Sequence, residues 1–507
     1  MPKKVILQDL KSPPEWNREI AKFVTPTGSV SSVMVAGPKS SGKSTFGRIL
    51  TNRLLTGMPN RTSKSSSPGV VVLDLDPGQP EYCGAGQIAL VLVAKPVLSP
   101  SFCRPLDTPG IRTIRSHGLA SLSPASDPAL YIEMALDLFA HYRNSYGSLP
   151  LIINTPGWIQ GTGLDLLVSL IGELRPSEVV YMSQTGPVDV VEALEGICNA
   201  TRFVTLPSQP GQASLRTAAD LRAMQTMSYF HAEPTIRKAG GQNLDWFQRP
   251  LTAMVPWQVC FKGADRGIFG ILFYDFQPQP DLVVDAINGA VLVAVEVESM
   301  KAFRDIGNHQ LPPNSGGSLV TPEPMDLDID TTGQAQSSSL SLVQETAIAM
   351  TADGMPFIDA SHGLTLDPRY SRSLGLVLVR GVDVKGGDLH LLCPITVSQI
   401  EDVRARGGNI VLVSGKFDPP SWAYTEDLYY QSYGDGGDGN EGPELDSRPE
   451  DIQVDLEDMR GGNAGSFSTS TGSVPWIEVL TRNQKRGAGS KVWRVRRDLG
   501  RVGIPTD

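Results

Sequence analysis

From residue 32 to about residue 230, short continuous apolar runs alternate with segments whose apolar positions recur every three or four residues. SVMVA (32–36), VVVLDLD (70–76), LPLIIN (149–154), EVVYMS (178–183) and RFVTL (202–206) read as strands. The intervening DPALYIEMALDLFAHYR (127–143), GLDLLVSLIGEL (163–174) and VDVVEALEGIC (188–198) carry helical spacing, and ASLRTAADLRAMQTMSYFHA (213–232) reads as one long helix or two. Strands apolar on both faces, alternating with helices, predict a mostly parallel sheet covered on both sides.

After about residue 248 the pattern changes. WQVCFKG, GIFGILFYDF, LVVDAINGAVLVAVEVE, LGLVLVRGVDV, LHLLCPI and NIVLVSG are strand-like and separated by Gly-, Pro- and Asp-rich turns. The expected fold class is α/β: a phosphate-loop domain over 30–247, then a smaller, mainly β domain over 248–507, with residues 1–29 as a leader. Residues 311–343 and 433–473 are rich in Ser, Gly, Pro and acids. They lack the apolar surface that offsets ordering entropy, so both are expected to be disordered inserts.

Charge changes this picture once its location is considered. The 507-residue chain has a formal charge of −10. Residues 435–458 hold ten acids against Arg448, and four more acids stand at Glu323, Asp326, Asp328 and Asp330. The remainder is slightly basic, so a nucleic-acid partner is not excluded. Five cysteines lack metal-ligand spacing and suit a reducing compartment. The apolar runs are too short for a bilayer span, and the first residues lack a signal-peptide core. A soluble intracellular protein with no membrane partner is expected.

Residues 37–44 read GPKSSGKS, preceded by a strand and followed by a helix. In such a loop the backbone N–H groups of Gly37, Pro38, Lys39, Ser40, Ser41, Gly42, Lys43, Ser44 and Thr45, proline excepted, are available to phosphate oxygens. Lys43, expected to be exposed, reaches the β- and γ-phosphates, and the Ser44 hydroxyl is a Mg²⁺ ligand. The implied cofactors are ATP and Mg²⁺. Lys39 reads as an exposed loop lysine or a second phosphate ligand.

Phosphoryl transfer also needs a carboxylate at a neighbouring strand end. DLDPGQPE offers Asp76 and Asp74 as carboxylates that hold a metal-bound water, Asp76 also as a proton acceptor, with Gln79 as a residue that orients the substrate; Asp-Pro-Gly also favours a plain turn. A third loop, NTPGW, puts Thr155, Pro156, Gly157 and Trp158 at the sheet's carboxyl edge, where ligands of open α/β folds bind. Trp158 is either a core residue or a stacking platform for a base. DTPG (107–110) imitates a GTPase switch but has no apolar strand before it and no guanine-reading NKxD after it. Arg216 and Arg222 are six apart and do not share an ideal helix face. Either is a solvated arginine or a lid residue that stabilises transition-state charge. The segment Arg482–Arg501, eight bases with Asp498 and Trp493, suits a phosphate backbone or a docking partner.

In this order, GPKSSGKST, DLDPGQPE, SPASDPALYIEMA, NTPGWIQGTGLDLL and RTAADLRAMQTMSYFH resemble the polynucleotide 5′-hydroxyl-kinase family. IVLVSGKFDPPSWAYTEDLYY and KVWRVRRDLGR look like its nucleolar branch, especially fungal members. The resemblance implies ATP-dependent phosphorylation of 5′-hydroxyl RNA ends, or DNA ends, in pre-ribosomal RNA spacer processing. It also implies a ribonuclease partner and a nuclear, nucleolar location. By the same resemblance, Lys43 and Ser44 are phosphate-loop positions, and Asp76 orients or deprotonates the 5′-hydroxyl and helps hold Mg²⁺. Thr155 to Trp158 clasp the terminal nucleotides, and Arg222, with Arg216, lies on the lid. The family's N-terminal β domain is expected to be missing or truncated, since about 30 residues precede the first core strand. The competing reading is a structural ATP-binding subunit of an RNA-processing complex with little turnover.

Overall fold

The structure is a computed structural model. It describes residues 12–24, 32–57, 69–183, 186–198, 201–209, 217–236, 242–263, 265–303, 348–360 and 364–426. The expected inserts and basic C-terminal segment lie outside these residues, as does Arg216. The chain divides into two compact units, Ile6–Tyr424 and Thr425–Asp507 with Met1–Val5. The elements described below belong to the Ile6–Tyr424 unit.

Its first half is built on a seven-stranded sheet. The strands are β1 (Ser32–Ala36), β2 (Val70–Asp74), β3 (Gln87–Val93), β4 (Ile111–Gly118), β5 (Leu151–Asn154), β6 (Glu178–Met182) and β7 (Arg202–Leu206). Their order is β4-β3-β2-β5-β1-β6-β7. From β2 to β7 all neighbours are parallel; β3 and β4 extend one edge antiparallel. The apolar run IALVLV is thus a strand the alternating pattern did not predict. The DTPG segment makes the turn into edge strand β4, where Asp107 accepts from the Thr113 N–H.

One face of the sheet packs on α3 (Pro128–Ser145), α4 (Thr162–Leu174) and α5 (Val188–Ile197), burying Met34, Leu73, Tyr131, Leu138, Leu170 and Tyr181. The other face packs on α1 (Pro14–Val24) and α2 (Lys43–Gly57) around Trp16, Phe46 and Leu50. The stretch read as a leader therefore carries a helix of this core. Its Trp16 is fully buried, edge-on to Phe46 at 5.5 Å.

α6 (Ala218–His231) and a hairpin, β8 (Ala232–Ile236) with β9 (Gln242–Trp246), lead into the second half. There β10 (Trp257–Cys260), β11 (Gly270–Phe273), β12 (Val291–Val297), β13 (Ile348–Met350), β14 (Pro356–Ile358), β15 (Ser371–Asp383), β16 (Asp388–Leu392) and β17 (Asn409–Ser414) form one mixed sheet. It carries α7 (Val283–Ile287) and α8 (Val397–Ala405). The two sheets meet through a buried polar seam. Arg115 of β4 pairs with Asp137 at 2.9 Å and with Glu298 at 3.0 Å, and donates to the carbonyls of Pro368 and Ser371. Among the described residues, no helix is long and apolar enough to cross a membrane, and no cluster of His, Cys, Asp and Glu forms a metal site.

Candidate active site

The chain leaves β1 towards β2 on one side, and leaves β5 towards β6 on the other, so the carboxyl end of β1 is a topological switch point. Three loops meet there. Residues 37–42 wrap from β1 into α2 with Gly37 at φ 144°, Ser40 at 62° and Gly42 at 97°. Gly42 also has no room for a side chain: a Cβ would stand 2.8 Å from Gln209 and 3.0 Å from the Trp16 ring. Gln209 N–H donates to the Ser41 carbonyl at 2.9 Å, and Trp16 Nε1 to the Pro207 carbonyl at 2.8 Å. The loop is therefore braced from outside by α1 and by the chain after β7.

Lys43 opens α2. It is buried, contrary to the expected exposure, and its Nζ donates to the carbonyls of Gly37 and Pro38, each at 3.0 Å. Burial lowers its pKa to about 8, opposed by the nearby Asp76 carboxylate. The ammonium thus sits at the loop's centre, where phosphate oxygens bind in such loops. Lys39 is exposed, yet close enough to Asp76 to favour its ionised form. Ser44 and Thr45 are half-buried on the first turn of α2.

Asp74 ends β2 and Asp76 follows two residues later; β2 does not adjoin β1, because β5 lies between them. The two carboxylates are used differently. Asp74 is fully buried; one oxygen accepts from the N–H groups of Glu81 and Tyr82 at 2.6 and 3.2 Å, the other from Asn154 Nδ2 at 2.9 Å. Burial raises its pKa to about 7, against those hydrogen bonds. With three donors already on it, Asp74 is an anchor for the 77–82 loop rather than the open metal ligand considered from sequence.

Asp76 keeps one oxygen open. Its Oδ1 accepts from the N–H groups of Gly78 and Gln79 at 3.0 and 3.1 Å, while Oδ2 makes no hydrogen bond among the described residues. Burial raises its pKa, and Lys43 and the two N–H groups oppose the rise. Gln79 contributes this backbone contact; its side chain is exposed. Tyr131 of α3 donates to the Leu75 carbonyl at 2.9 Å and pins the strand end between the two acids.

The 155–158 loop divides into support and surface. Thr155 is buried, and its hydroxyl donates to the Val35 carbonyl at 2.9 Å, clipping the loop to β1. That makes it a brace rather than a residue open to substrate. Gly157 rides directly on the phosphate loop: a Cβ there would stand 2.9 Å from both Lys39 N and Cα. Pro156 and Trp158 are half-buried. Trp158 packs on the edge of the main core and over Gly163, whose Cβ would stand 2.7 Å from the indole. The indole is neither a core residue nor fully free.

Arg222 is not isolated on a lid. Its Nε donates to Asp418 Oδ2 at 2.7 Å, on the segment after β17. Asn154, Tyr131, Gln225 and Asp418 were not singled out from sequence. Asn154 had the best signal, since it opens the NTPGW motif at a strand end. The others are joined by packing that no local pattern encodes.

The donor set fits a divalent cation. A small cavity at the base of the loop is lined by Ser44, Arg48, Glu81 and Asn154; Glu81 is taken up by Arg48 and Arg104, while Asn154 Oδ1 is buried without a partner among the described residues. With the open Asp76 oxygen, the chain supplies oxygen donors of the kind Mg²⁺ takes directly or through water.

Strand order, glycine loop and buried lysine define a P-loop nucleotide-binding protein. Residues 37–232 match the family model described as mRNA cleavage and polyadenylation factor CLP1 P-loop. Over 99% of its length the chain is 43% identical to the polynucleotide 5′-hydroxyl-kinase GRC3 of Gibberella zeae. Over 95% it is 35% identical to the Aspergillus niger protein of the same name. It spans 65% and 60% of the lengths of those two proteins. A solved structure of the wild-type Clp1p–Pcf11p complex matches at TM-score 0.48 and 14% identity, covering 80% of this chain and 79% of that one. The resemblance to the polynucleotide 5′-hydroxyl-kinase family read from the motifs stands on these relatives.

Proposed function

We propose that this chain transfers the γ-phosphoryl group of ATP to the 5′-hydroxyl of a polynucleotide, with RNA as the main substrate. The observation that carries this reading is the Asp76 carboxylate, one oxygen locked by its own turn and the other open, within electrostatic reach of the buried Lys43. The relatives named as polynucleotide 5′-hydroxyl-kinases support the same chemistry.

Loop N–H groups and Lys43 bind the β- and γ-phosphates and neutralise charge that grows on the bridging oxygen as the Pγ–O bond breaks. Asp76 Oδ2 accepts the hydroxyl proton as the 5′-oxygen bonds to phosphorus; burial, by raising the pKa, makes it a better base. Mg²⁺, held by Ser44, Asp76 and the Asn154 oxygen, would add charge neutralisation on the same phosphates. Trp158 and Pro156 place the terminal nucleotide, and Arg222 stabilises the transferring group.

In this proposal the ends are those a partner ribonuclease leaves in a pre-ribosomal spacer, and the location is the nucleolus. The support is the likeness of IVLVSGKFDPPSWAYTEDLYY to the nucleolar branch. Purified chain incubated with ATP and a 5′-hydroxyl oligoribonucleotide should give a 5′-phosphate, read by mass. A purified, folded chain that binds ATP and transfers nothing would leave the structural-subunit reading in its place. Adding the ribonuclease and spacer RNA tests the processing role separately.

A further inference from the structure

α6 touches both halves of the molecule through separate side chains. On one side Gln225, almost wholly buried, donates from Nε2 to the carbonyls of Pro80 at 3.0 Å and Cys83 at 2.8 Å. These carbonyls belong to the loop that starts at Asp76. On the other side Tyr229 Oη exchanges hydrogen bonds with the N–H and C=O of Leu376, and Phe230 stacks on Trp422 at 5.8 Å. Phe417 packs against Gly86, at the far end of the same loop. The helix is therefore held in one orientation against the Asp76 loop.

Arg222 lies on this helix with its side chain 17% exposed. Asp418 takes only the Nε–H edge of the guanidinium. The two terminal amino groups make no hydrogen bond among the described residues. Arg222 lines a cavity of about 330 Å³ together with Leu122, Phe417 and Trp422. Leu122, in the lining of that cavity, also borders the Asp76 turn: a Cβ on Gly78 would stand 2.8 Å from the Leu122 carbonyl and 3.3 Å from Asp76 Oδ1, the oxygen the turn holds. Asp220, also at the cavity, is engaged in the N-terminal cap of α6 with Thr217.

We propose that Asp418 is a positioning residue for Arg222: it fixes the guanidinium by its Nε edge and leaves both amino groups for the phosphoryl oxygens of the reaction beside Asp76. A carboxylate on one edge of an arginine constrains the fork without using the donors that grip phosphate. The second half of the molecule thereby contributes to the chemistry of the first. This inference rests on the phosphotransfer reading above.

The test is a double-mutant cycle on the full chain with ATP and a 5′-hydroxyl oligoribonucleotide. Asp418→Asn should lower kcat about tenfold, with both KM values within about twofold of wild type and an unchanged thermal midpoint. Asp418→Glu should recover at least half of the loss. In an Arg222→Ala background, Asp418→Asn should have no further effect, because there is no guanidinium left to orient. Full or raised kcat in Asp418→Asn, or a loss that adds to that of Arg222→Ala, overturns the positioning role. A wild-type chain that transfers no phosphate overturns the phosphotransfer reading itself, and this inference with it.

Discussion

Asn154 Nδ2 donates to Asp74 Oδ1 across 2.9 Å, joining the strand that leads into the tryptophan loop to the strand that leads into Asp76. Asp74→Asn sets an amide N–H₂ against one of three donors and leaves a buried group unpaired. The expected cost is about 1–3 kcal/mol of stability, read by denaturant titration. The pH dependence has a definite sign. Burial raises the folded pKa from 3.8 to about 7, so the folded state binds this proton more tightly than the unfolded one. The group's contribution to stability is full below its ordinary value of 3.8 and is lost as pH rises through about 7. Asp74→Asn should flatten that slope; an unchanged slope counts against the assignment.

Lys43 should make ATP binding sensitive to alkali. Its pKa is lowered to about 8, so the free protein loses the ammonium as pH rises through that value. Titrations with ATP from pH 7 to 9.5 should show affinity falling in the wild type. Lys43→Arg should bind more weakly at pH 7 yet hold its affinity across the range, since a guanidinium keeps its charge. Lys43→Ala should abolish end phosphorylation in a protein that still folds. Normal transfer by that variant would remove the lysine from the site.

Asp76→Asn separates loop shape from chemistry. The asparagine oxygen still accepts from Gly78 and Gln79, so the turn persists, but the open oxygen is replaced by a donor. Turnover should fall on the order of 10²-fold or more, while ATP affinity stays within about twofold by calorimetry. A severe loss in Asp74→Asn beside a mild one in Asp76→Asn would reverse the two roles.

Trp158 can be displaced without being removed. Gly163→Ala crowds the Trp158 carbonyl oxygen, 2.5 Å from the position of that Cβ, and the indole, 2.7 Å from it, so the methyl group shifts the loop together with the ring. If the indole stacks on the terminal nucleotide, Gly163→Ala and Trp158→Ala should both raise the KM for oligoribonucleotide. The loss expected is about 1–3 kcal/mol per stacked base, with ATP affinity unchanged. Trp158→Phe should recover much of it. Equal losses for ATP and RNA, tracking a fall in thermal midpoint, would identify a packing residue.

Much of the site is local, and local features are legible in a sequence. GPKSSGKS dictates its loop because positive φ at Gly37 and Gly42 excludes most side chains, and the strand before it and helix after it aim the N–H groups. DPGQ builds the Asp76 turn from its own N–H groups. The alternation of apolar runs and helical spacing was enough for the parallel strands and α2 to α5. It missed β3 because a short run apolar on both faces, QIALVLV, has no period of its own, and β4 because the edge strand IRTIRSHG mixes charged and polar residues without a clean alternation. It missed α1's place in the core because amphipathicity does not name the surface a helix will cover.

Tertiary structure decided the rest, by strand order and by burial. Only the order β2-β5-β1 sets Asn154 between Asp74 and the phosphate loop, and only that insertion turns one acid of DLD into an anchor and leaves the other open. Lys43 became a buried ammonium with a pKa of about 8 because the loop closes over it. Arg222 and Asp418 stand 196 residues apart along the chain. No spacing rule joins them; they meet because α6 is packed between two sheets that fold from different halves of the sequence.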